Sequence, residues 1–212
     1  MRYEYLISKL SKGLSYPLPG KASHLSMSPK PVDLRRFESE IPKTHNRSAV
    51  LILFYPEEGE AFFPLIKRPI YEGVHSGQIA LPGGKYEEVD GDLSKTALRE
   101  SNEEVGIDTS KVELLGKLTD LFIPTSNFLV SPYLGITSEK PEFVPEQKEV
   151  HRILLTSFKR LQSPEILKRK ELLMGNKFKL DTPYFELDGE TVWGATAMIL
   201  GELLQIVKNA DQ

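Results

Sequence analysis

Three closely spaced glutamates could act together as ligands of a metal ion. Glu100, Glu103 and Glu104 have i, i+3 and i, i+4 spacing, so a helix would place them on one face. Carboxylates crowded in this way repel one another unless cations hold them, and hard divalent ions prefer such oxygen ligands. A solvated acidic helix face with ion pairs has the same spacing, so these residues alone leave both interpretations open.

A glycine-rich turn just before this segment favours the metal site. Pro82, Gly83 and Gly84 permit positive φ and close backbone approach at the edge of a sheet, where the Gly84 carbonyl could join the ligands. Arg99 stands four residues before Glu103, and we expect the two side chains to pair, which would orient the carboxylate. We therefore expect the three glutamates to converge near the Gly84 carbonyl, with Arg99 contacting a carboxylate and not the substrate.

The segment from Gly84 to Ile107 resembles the Nudix box, G-x5-E-x7-R-E-U-x-E-E-x-G-U, in which U is an aliphatic residue. The arginine, the three later glutamates and the second glycine of the motif stand at positions 99, 100, 103, 104 and 106. The segment departs from the motif in three respects. Its loop is one residue longer, Asp90 replaces the first glutamate, and Ser101 replaces an aliphatic residue.

This resemblance implies a fold, a reaction and a cofactor. The implied fold is α/β (α+β), a Nudix-type α/β/α sandwich with a mixed sheet. The implied reaction is hydrolysis of a nucleoside diphosphate linked to another moiety, with Mg²⁺ or Mn²⁺ as cofactor. Ions held by Glu100, Glu103, Glu104 and the Gly84 carbonyl would neutralise the phosphate charge that repels a nucleophile, and would lower the pKa of a bound water.

Two flanking segments are similar to the coenzyme A pyrophosphatase branch of the superfamily: residues 77–84 and Trp193 to Ala197. Over residues 45–208 the resemblance implies cleavage of coenzyme A or acyl-CoA to adenosine 3′,5′-bisphosphate and 4′-phosphopantetheine. Gly73 and Leu81 depart from that branch, which usually has arginine and phenylalanine there. ADP-ribose or a nucleoside triphosphate is the alternative substrate. A non-catalytic binding module is a third reading, which the intact glutamates disfavour.

Five further residues are candidates for catalysis or substrate binding. Glu149 stands where that branch usually has a Glu-Val pair, and the general base is either Glu149 or a glutamate of the box. Lys67 or Arg68 could clamp a phosphate oxygen, and both are candidates, with Lys85, for contacting the 3′-phosphate of coenzyme A. Asn127 could line the substrate pocket, although turn chemistry would explain it equally well.

The elements that position these residues can be predicted from periodicity and from turn residues. We predict helices over residues 3–13, 92–105 and 195–208, the second ending at Gly106, and a hairpin from strands 47–55 and 61–68. Residues 148–161 and 163–173 are predicted to be helical or mixed. Prolines predict a loop or extended arm over residues 16–31, suited to clasping a homodimer. The expected domains are an N-terminal helix and arm, 1–44, and a Nudix hydrolase domain, 45–212.

Composition limits the classes of protein that this chain can belong to. The 212 residues include no cysteine, which excludes disulfides, zinc–thiolate sites and a cysteine nucleophile. A net charge of −3 lacks the basic excess typical of nucleic-acid binders. Apolar runs are too short to span a membrane, and the first residues lack a signal-peptide core, so we expect a cytoplasmic location. The nucleotide-derived small-molecule substrate is what the family resemblance implies. His75 is expected to pack within a loop, and the remaining histidines are expected at the surface: His24, His45 and His151.

Overall fold

The structure is a computed structural model that describes residues 1–38, 41–70, 72, 76–174 and 178–211. Its helices are α1 (Tyr3–Leu14), α2 (Gly20–Ser26), α3 (Leu93–Val105), α4 (Phe158–Leu161) and α5 (Gly194–Asn209). Its strands are β1 (Asn46–Glu57), β2 (Glu60–Lys67), β3 (Ile79–Ala80), β4 (Gly83–Lys85), β5 (Glu113–Lys117), β6 (Leu121–Ile123), β7 (Phe128–Ile136), β8 (Arg152–Ser157), β9 (Leu167–Met174), β10 (Phe178–Leu187) and β11 (Glu190–Val192).

The central strand of the larger sheet is β1, which pairs with neighbours on both edges. It runs parallel to β7 from Asn46 to Phe54, and the sheet order is β3-β2-β1-β7-β5. The other edge of β1 is divided, because β4 pairs with Ser48–Val50 and β2 pairs with Tyr55–Glu57. Since these two pairings are antiparallel, the predicted mixed sheet is confirmed. A separate three-stranded sheet has the order β11-β10-β9.

Alternating residues of β1 face two hydrophobic cores, one on each side of the sheet. Ile52 and Phe54 contribute to the core that contains apolar residues of α1 and α5. Leu51 and Leu53 contribute to the core beneath α3. This alternation follows from the two-residue period of a strand, and it confirms the predicted layering of helices on both sides of a sheet.

The first and last helices of the chain pack tightly on each other. Leu6 and Leu10 of α1 are fully buried in the same core as Leu203 of α5. A Cβ added at Gly13 would come within 2.6 Å of the Ile206 Cγ2 atom, so glycine allows the close approach of the two helices. Residues before position 45 therefore share a core with the C-terminal helix.

The prediction of a loop or extended arm over residues 16–31 is wrong for α2. The prolines of this stretch lie at positions 17, 19, 29 and 31, outside the helix, so they bound it and do not interrupt it. The helix packs on α5 of the same chain, and His24, expected at the surface, is only 2% exposed. Its Nε2 atom lies 3.1 Å from Oε2 of the buried Glu202, a partner that local sequence patterns do not reveal.

The segments predicted to be helical or mixed are mainly strand. Residues 152–157 form β8, which pairs with β2, and residues 167–174 form β9, which pairs with β10. Only the four residues of α4 are helical between them, apart from a short 3₁₀ turn. The pairing partners of both strands lie far away in sequence, and these contacts override the local helical pattern. The predicted hairpin and the three other predicted helices are confirmed.

Candidate active site

Two glycines of β4 bring its backbone against β1 and α3. Gly83 has φ 147°, and a Cβ there would lie 2.2 Å from the carbonyl oxygen of Ala49, so no side chain fits. A Cβ at Gly84 would lie 2.3 Å from Oε2 of Glu100. The Gly83 N–H donates a hydrogen bond of 2.8 Å to Oε2 of Glu104. The glycine turn therefore lies directly against two of the carboxylates.

Glu104 is a buried carboxylate in an unfavourable environment. Glu104 is 2% exposed, and this burial raises the pKa of its carboxyl to about 7. The charges of Glu100 and Glu149 reinforce the shift. The Gly83 N–H and the charge of Arg68 oppose this shift. Burial also raises the pKa of Glu100; Arg99 opposes the shift, and Glu103 and Glu149 reinforce it. Glu100 and Glu149 thus both act on Glu104, and Glu103 and Glu149 both act on Glu100.

Arg99 connects the helix to the loop that precedes it. Its Nη1 atom lies 2.9 Å from Oε2 of Glu103, which confirms the predicted i, i+4 pair, and 3.0 Å from Oε1 of Glu100. Its Nη2 atom donates to the Lys85 carbonyl at 3.0 Å, and its Nε atom lies 2.7 Å from Oδ1 of Asp90. The guanidinium holds the pKa of Asp90 well below its usual range.

The donors present fit a hard divalent cation, although they do not form a complete metal site as they stand. Glu100 and Glu104 lie beside the glycines, whereas the Glu103 side chain is 54% exposed and paired with Arg99. In the part of the chain that the structure describes, no three His, Asp or Glu side chains are grouped to hold a metal ion. The donors are all oxygens, and a cation would stabilise the charged form of Glu104, which burial and the neighbouring carboxylates disfavour. Metal binding stays a prediction.

A loop that follows β7 brings Glu149 to these carboxylates. The Val144 N–H donates to the Val105 carbonyl at 2.9 Å, and the Glu146 N–H donates to the Glu104 carbonyl at 3.0 Å. These bonds satisfy carbonyls at the end of α3 that have no partner within the helix. Because the loop is tied to α3 here, the charge of Glu149 acts on both Glu100 and Glu104.

Comparison with known proteins decides the family. Residues 45–173 match the NUDIX domain. The chain belongs to the Nudix family. The mixed sheet between helices is therefore the Nudix fold, and Gly84 to Ile107 is its Nudix box.

Similar Nudix proteins come from plants and bacteria. The chain is 36% identical to Nudix hydrolase 15, mitochondrial, of Arabidopsis thaliana over 183 residues, which is 82% of this chain and 61% of that protein. It is 36% identical to Nudix hydrolase 22, chloroplastic, of the same plant over 160 residues, 73% of this chain and 53% of the relative. It thus spans less than two thirds of either plant protein. It is 32% identical to the uncharacterized Nudix hydrolase NudL of Yersinia pestis (strain Pestoides F), over 84% of this chain and 88% of that protein.

A solved structure supports the fold alone. The MutT/nudix family protein from Enterococcus faecalis matches with a TM-score of 0.52 and 16% sequence identity, covering 81% of this chain and 65% of that chain. In the described residues of this Nudix chain, no helix is long and apolar enough to cross a lipid bilayer.

The two unusual residues of the Nudix box differ in their surroundings. Asp90 is buried, and it accepts hydrogen bonds from Thr96 Oγ1 at 2.8 Å and from Arg99. In the longer loop, the shorter side chain of Asp90 thus still reaches Thr96 and Arg99. Ser101 is 1% exposed, and its hydroxyl has no hydrogen-bond partner among the described residues. The carboxylate of Asp90 is therefore hydrogen-bonded, whereas the hydroxyl of Ser101 is buried in α3 without a partner among the described residues.

The basic residues expected to bind substrate lie in different places. Lys67 and Arg68 are adjacent in sequence, but Lys67 pairs at 2.8 Å with Glu190, which also binds Arg152, whereas the charge of Arg68 acts on Glu104. Strand alternation would have predicted opposite directions for these neighbours. Sequence analysis missed Glu190 and Arg152, because Glu190 lies far along the chain from both of its partners, Lys67 and Arg152.

The remaining candidates are Lys85, within the Nudix box, and Asn127, in a turn outside it. Lys85 is exposed, and its carbonyl accepts the bond from Arg99. Asn127 lies in the turn between β6 and β7 with φ 54°, and its Nδ2 atom donates to the Thr44 carbonyl at 3.1 Å. The positive φ is typical of a turn, whereas the side-chain bond is a tertiary contact with a distant residue. Binding of substrate by Asn127 stays a prediction. Gly73 and His75 lie outside the described residues.

Proposed function

We propose that this chain is a metal-dependent hydrolase of a pyrophosphate bond in a nucleoside diphosphate derivative. The observation that carries the proposal is the buried Glu104 carboxylate, bonded to the Gly83 amide and facing the charges of Glu100 and Glu149. Such a cluster destabilises the folded chain unless a cation neutralises it. Buried carboxylates with a raised pKa are also typical of sites that transfer protons. Family membership supports the same reaction.

The residues of the cluster would divide the work of binding and proton transfer. Glu100, Glu103, Glu104 and the Gly84 carbonyl would hold Mg²⁺ or Mn²⁺, which when bound neutralises phosphate charge and acidifies a water. Glu149, or a glutamate of the box, would accept the proton of the attacking water. Arg68 would contact a phosphate oxygen, since its charge already acts at the cluster. Arg99 would hold the loop and the carboxylates in position without contacting substrate.

Coenzyme A or acyl-CoA is the substrate that we propose. The two segments that resemble the coenzyme A branch meet in the fold, since Thr196 Oγ1 of α5 donates to the Ile79 carbonyl of β3 at 3.2 Å. Coenzyme A carries a 3′-phosphate that needs a cationic partner. Arg68 and Lys85 are the better candidates, because Lys67 is already paired with Glu190. Gly73, where the branch has arginine, favours the alternative of ADP-ribose or a nucleoside triphosphate.

A substrate panel assayed with Mg²⁺ and with Mn²⁺ tests both the reaction and the substrate. We expect kcat/KM for coenzyme A to exceed that for dephospho-coenzyme A by about ten- to a hundred-fold, if one charge-assisted contact recognises the 3′-phosphate. Equal values would show that this phosphate is ignored, and a preference for ADP-ribose or a triphosphate would assign the chain to another substrate. No hydrolysis of any member with either metal would favour the non-catalytic binding module.

Three further expectations remain predictions. They are a domain boundary between residues 44 and 45, a homodimer, and a cytoplasmic location. Two of the similar Arabidopsis proteins are named mitochondrial and chloroplastic, so fractionation of cells that express the chain would test the location directly.

A further inference from the structure

Strand β9 has an outer edge that pairs with no other strand among the described residues. It is the last strand of the order β11-β10-β9, and its partner β10 occupies only one of its edges. An unpaired strand edge presents free N–H and C=O groups, which can bind another strand. Leu167 and Leu173, near the two ends of β9, are 51% and 70% exposed.

The direction of the backbone groups in β9 follows from a contact of β10. Asp181 of β10 exchanges two backbone hydrogen bonds with Lys30, of 3.0 and 2.9 Å, so its N–H and C=O point away from β9. Because Asp181 lies opposite Glu171 in an antiparallel pair, the N–H and C=O of Glu171 also point away, toward the free edge. Alternation along the strand gives Leu167, Arg169 and Leu173 the same direction.

These outward residues form a self-complementary sequence. When two β9 strands pair antiparallel about a twofold axis at Lys170, Arg169 of one copy lies opposite Glu171 of the other. In the same register Leu167 lies opposite Leu173 of the other copy. Opposite charges and apolar pairs directly across an antiparallel ladder are stabilising. An axis at Arg169 or at Glu171 would instead place like charges opposite each other.

Lys170 lies on the twofold axis and therefore opposite Lys170 of the other copy, but the directions of the two side chains do not disfavour this register. The Lys170 ammonium lies 4.7 Å from the centre of the Tyr184 ring and donates to Thr191 Oγ1 at 2.6 Å. Both contacts lie on β10 and β11, on the side away from the free edge. The two Lys170 ammonium groups of a pair would therefore be directed apart.

We propose that β9 is a homodimer interface, in which two copies of the chain join their three-stranded sheets through antiparallel β9 pairing centred on Lys170. The interface is a single strand pair with a few side chains, so the dimer is weak and depends on concentration. The proposal does not depend on the hydrolytic activity, because none of its residues belongs to the carboxylate cluster.

Sedimentation velocity of the full chain over a range of concentrations tests this proposal. We expect a monomer–dimer equilibrium whose Kd rises at least about tenfold in Arg169→Glu, which places two carboxylates opposite each other. The double variant Arg169→Glu with Glu171→Arg should restore the dimer. Within one chain this double change breaks the Arg169–Asp181 and Glu171–Lys179 ion pairs and places an arginine opposite Asp181. Urea unfolding of each variant therefore checks that a change in Kd does not follow from a change in the stability of the single chain.

A matched control and a second variant complete the test. Arg35→Glu breaks a similar exposed Arg–Asp pair, with Asp33, and should leave Kd unchanged. If Arg169→Glu does not fold, Leu173→Lys should weaken the dimer by loss of the apolar pair. A chain that stays monomeric up to its solubility limit would overturn the proposal. So would a dimer that none of the β9 variants weakens, or one that the double variant does not restore.

Discussion

At the scale of single residues, the carboxylate cluster opposes folding at neutral pH. Glu104 has a folded-state pKa of about 7 because it is buried beside other carboxylates, above the value of 4.5 for an exposed glutamate. Between these two pH values the folded chain holds a proton that the unfolded chain has released. The free energy of unfolding therefore falls as pH rises from 4.5 to about 7, and the loss is complete above that range.

Glu104→Gln separates the function of this residue from its effect on stability. We expect turnover to fall by a factor of order 10² or more, because a ligand and charge are lost from the site. We expect the free energy of unfolding without metal to rise by of order 2 kcal/mol at pH 8, and by little at pH 4, because glutamine cannot ionise. Urea unfolding at both pH values, with turnover assays, measures the two effects.

The control for this stability effect is Glu103→Gln, since the Glu103 side chain is 54% exposed and should gain little from neutralisation. A Glu104→Gln variant that keeps full turnover would remove this residue from the reaction. A variant no more stable than the unmodified chain at pH 8 would show that the buried charge is compensated.

Sequence analysis predicted contacts between residues close in sequence, and missed those between distant ones. The Arg99–Glu103 pair followed from helical spacing. The Lys67–Glu190 and His24–Glu202 pairs did not, because their members are separated by 123 and 178 positions. Side-chain pairing over such distances depends on the tertiary fold, which single-sequence patterns do not specify.

At the scale of elements, Arg99 joins α3 to the loop between β4 and the helix. Its guanidinium binds the Lys85 carbonyl, Asp90 and two glutamates at once, with a planar array of donors that lysine lacks. We expect Arg99→Lys to lower kcat about tenfold or more, because the loop and the carboxylates lose their fixed positions.

The measurement combines kinetics with amide hydrogen exchange over residues 85–92, which should become faster in the variant. Lys95→Ala is the control: Lys95 is an exposed residue of the same helix, paired weakly with Asp92 at 3.8 Å, and its loss should change neither quantity. Unchanged exchange with a reduced kcat would instead point to direct contact between Arg99 and substrate.

Elements with local signals were predictable, whereas elements defined by distant partners were not. Helix α3 begins after Asp92, whose carboxylate accepts from two backbone N–H groups, and ends at Gly106 in the left-handed region. These signals lie within the segment itself. Strands β8 and β9 carry no comparable signal, and they form because β2 and β10 supply their hydrogen bonds.

At the scale of the whole molecule, one buried carboxylate fixes the N-terminal segment to the rest of the chain. Glu202 is fully buried in α5 and accepts hydrogen bonds from the Gly20 N–H at 3.0 Å and from Thr119 Oγ1 at 2.6 Å, beside its contact with His24. These bonds keep its pKa below the usual range although burial alone would raise it. The contact joins α2, α5 and the segment before β6.

We expect Glu202→Ala to lower the free energy of unfolding by about 3 kcal/mol, because several buried donors would lose their acceptor. Limited proteolysis should then cut within residues 15–31 before it cuts elsewhere. Gln205→Ala is the control, because Gln205 lies in the same helix and its amide donates to Asn209, a residue of that helix, at 2.6 Å. Equal stability losses in the two variants would show that Glu202 has no special role in holding the segment.

The packing of α1 on α5 also determines the order in which the chain can complete its fold during synthesis. About 180 residues separate the end of α1 from the start of α5. At translation rates of about 5–20 residues per second, the apolar face of α1 waits roughly 10–40 s for its partner. During that interval the apolar residues of α1 have no packing partner in α5, so we expect a nascent chain that stops before α5 to leave Leu6 and Leu10 without their core.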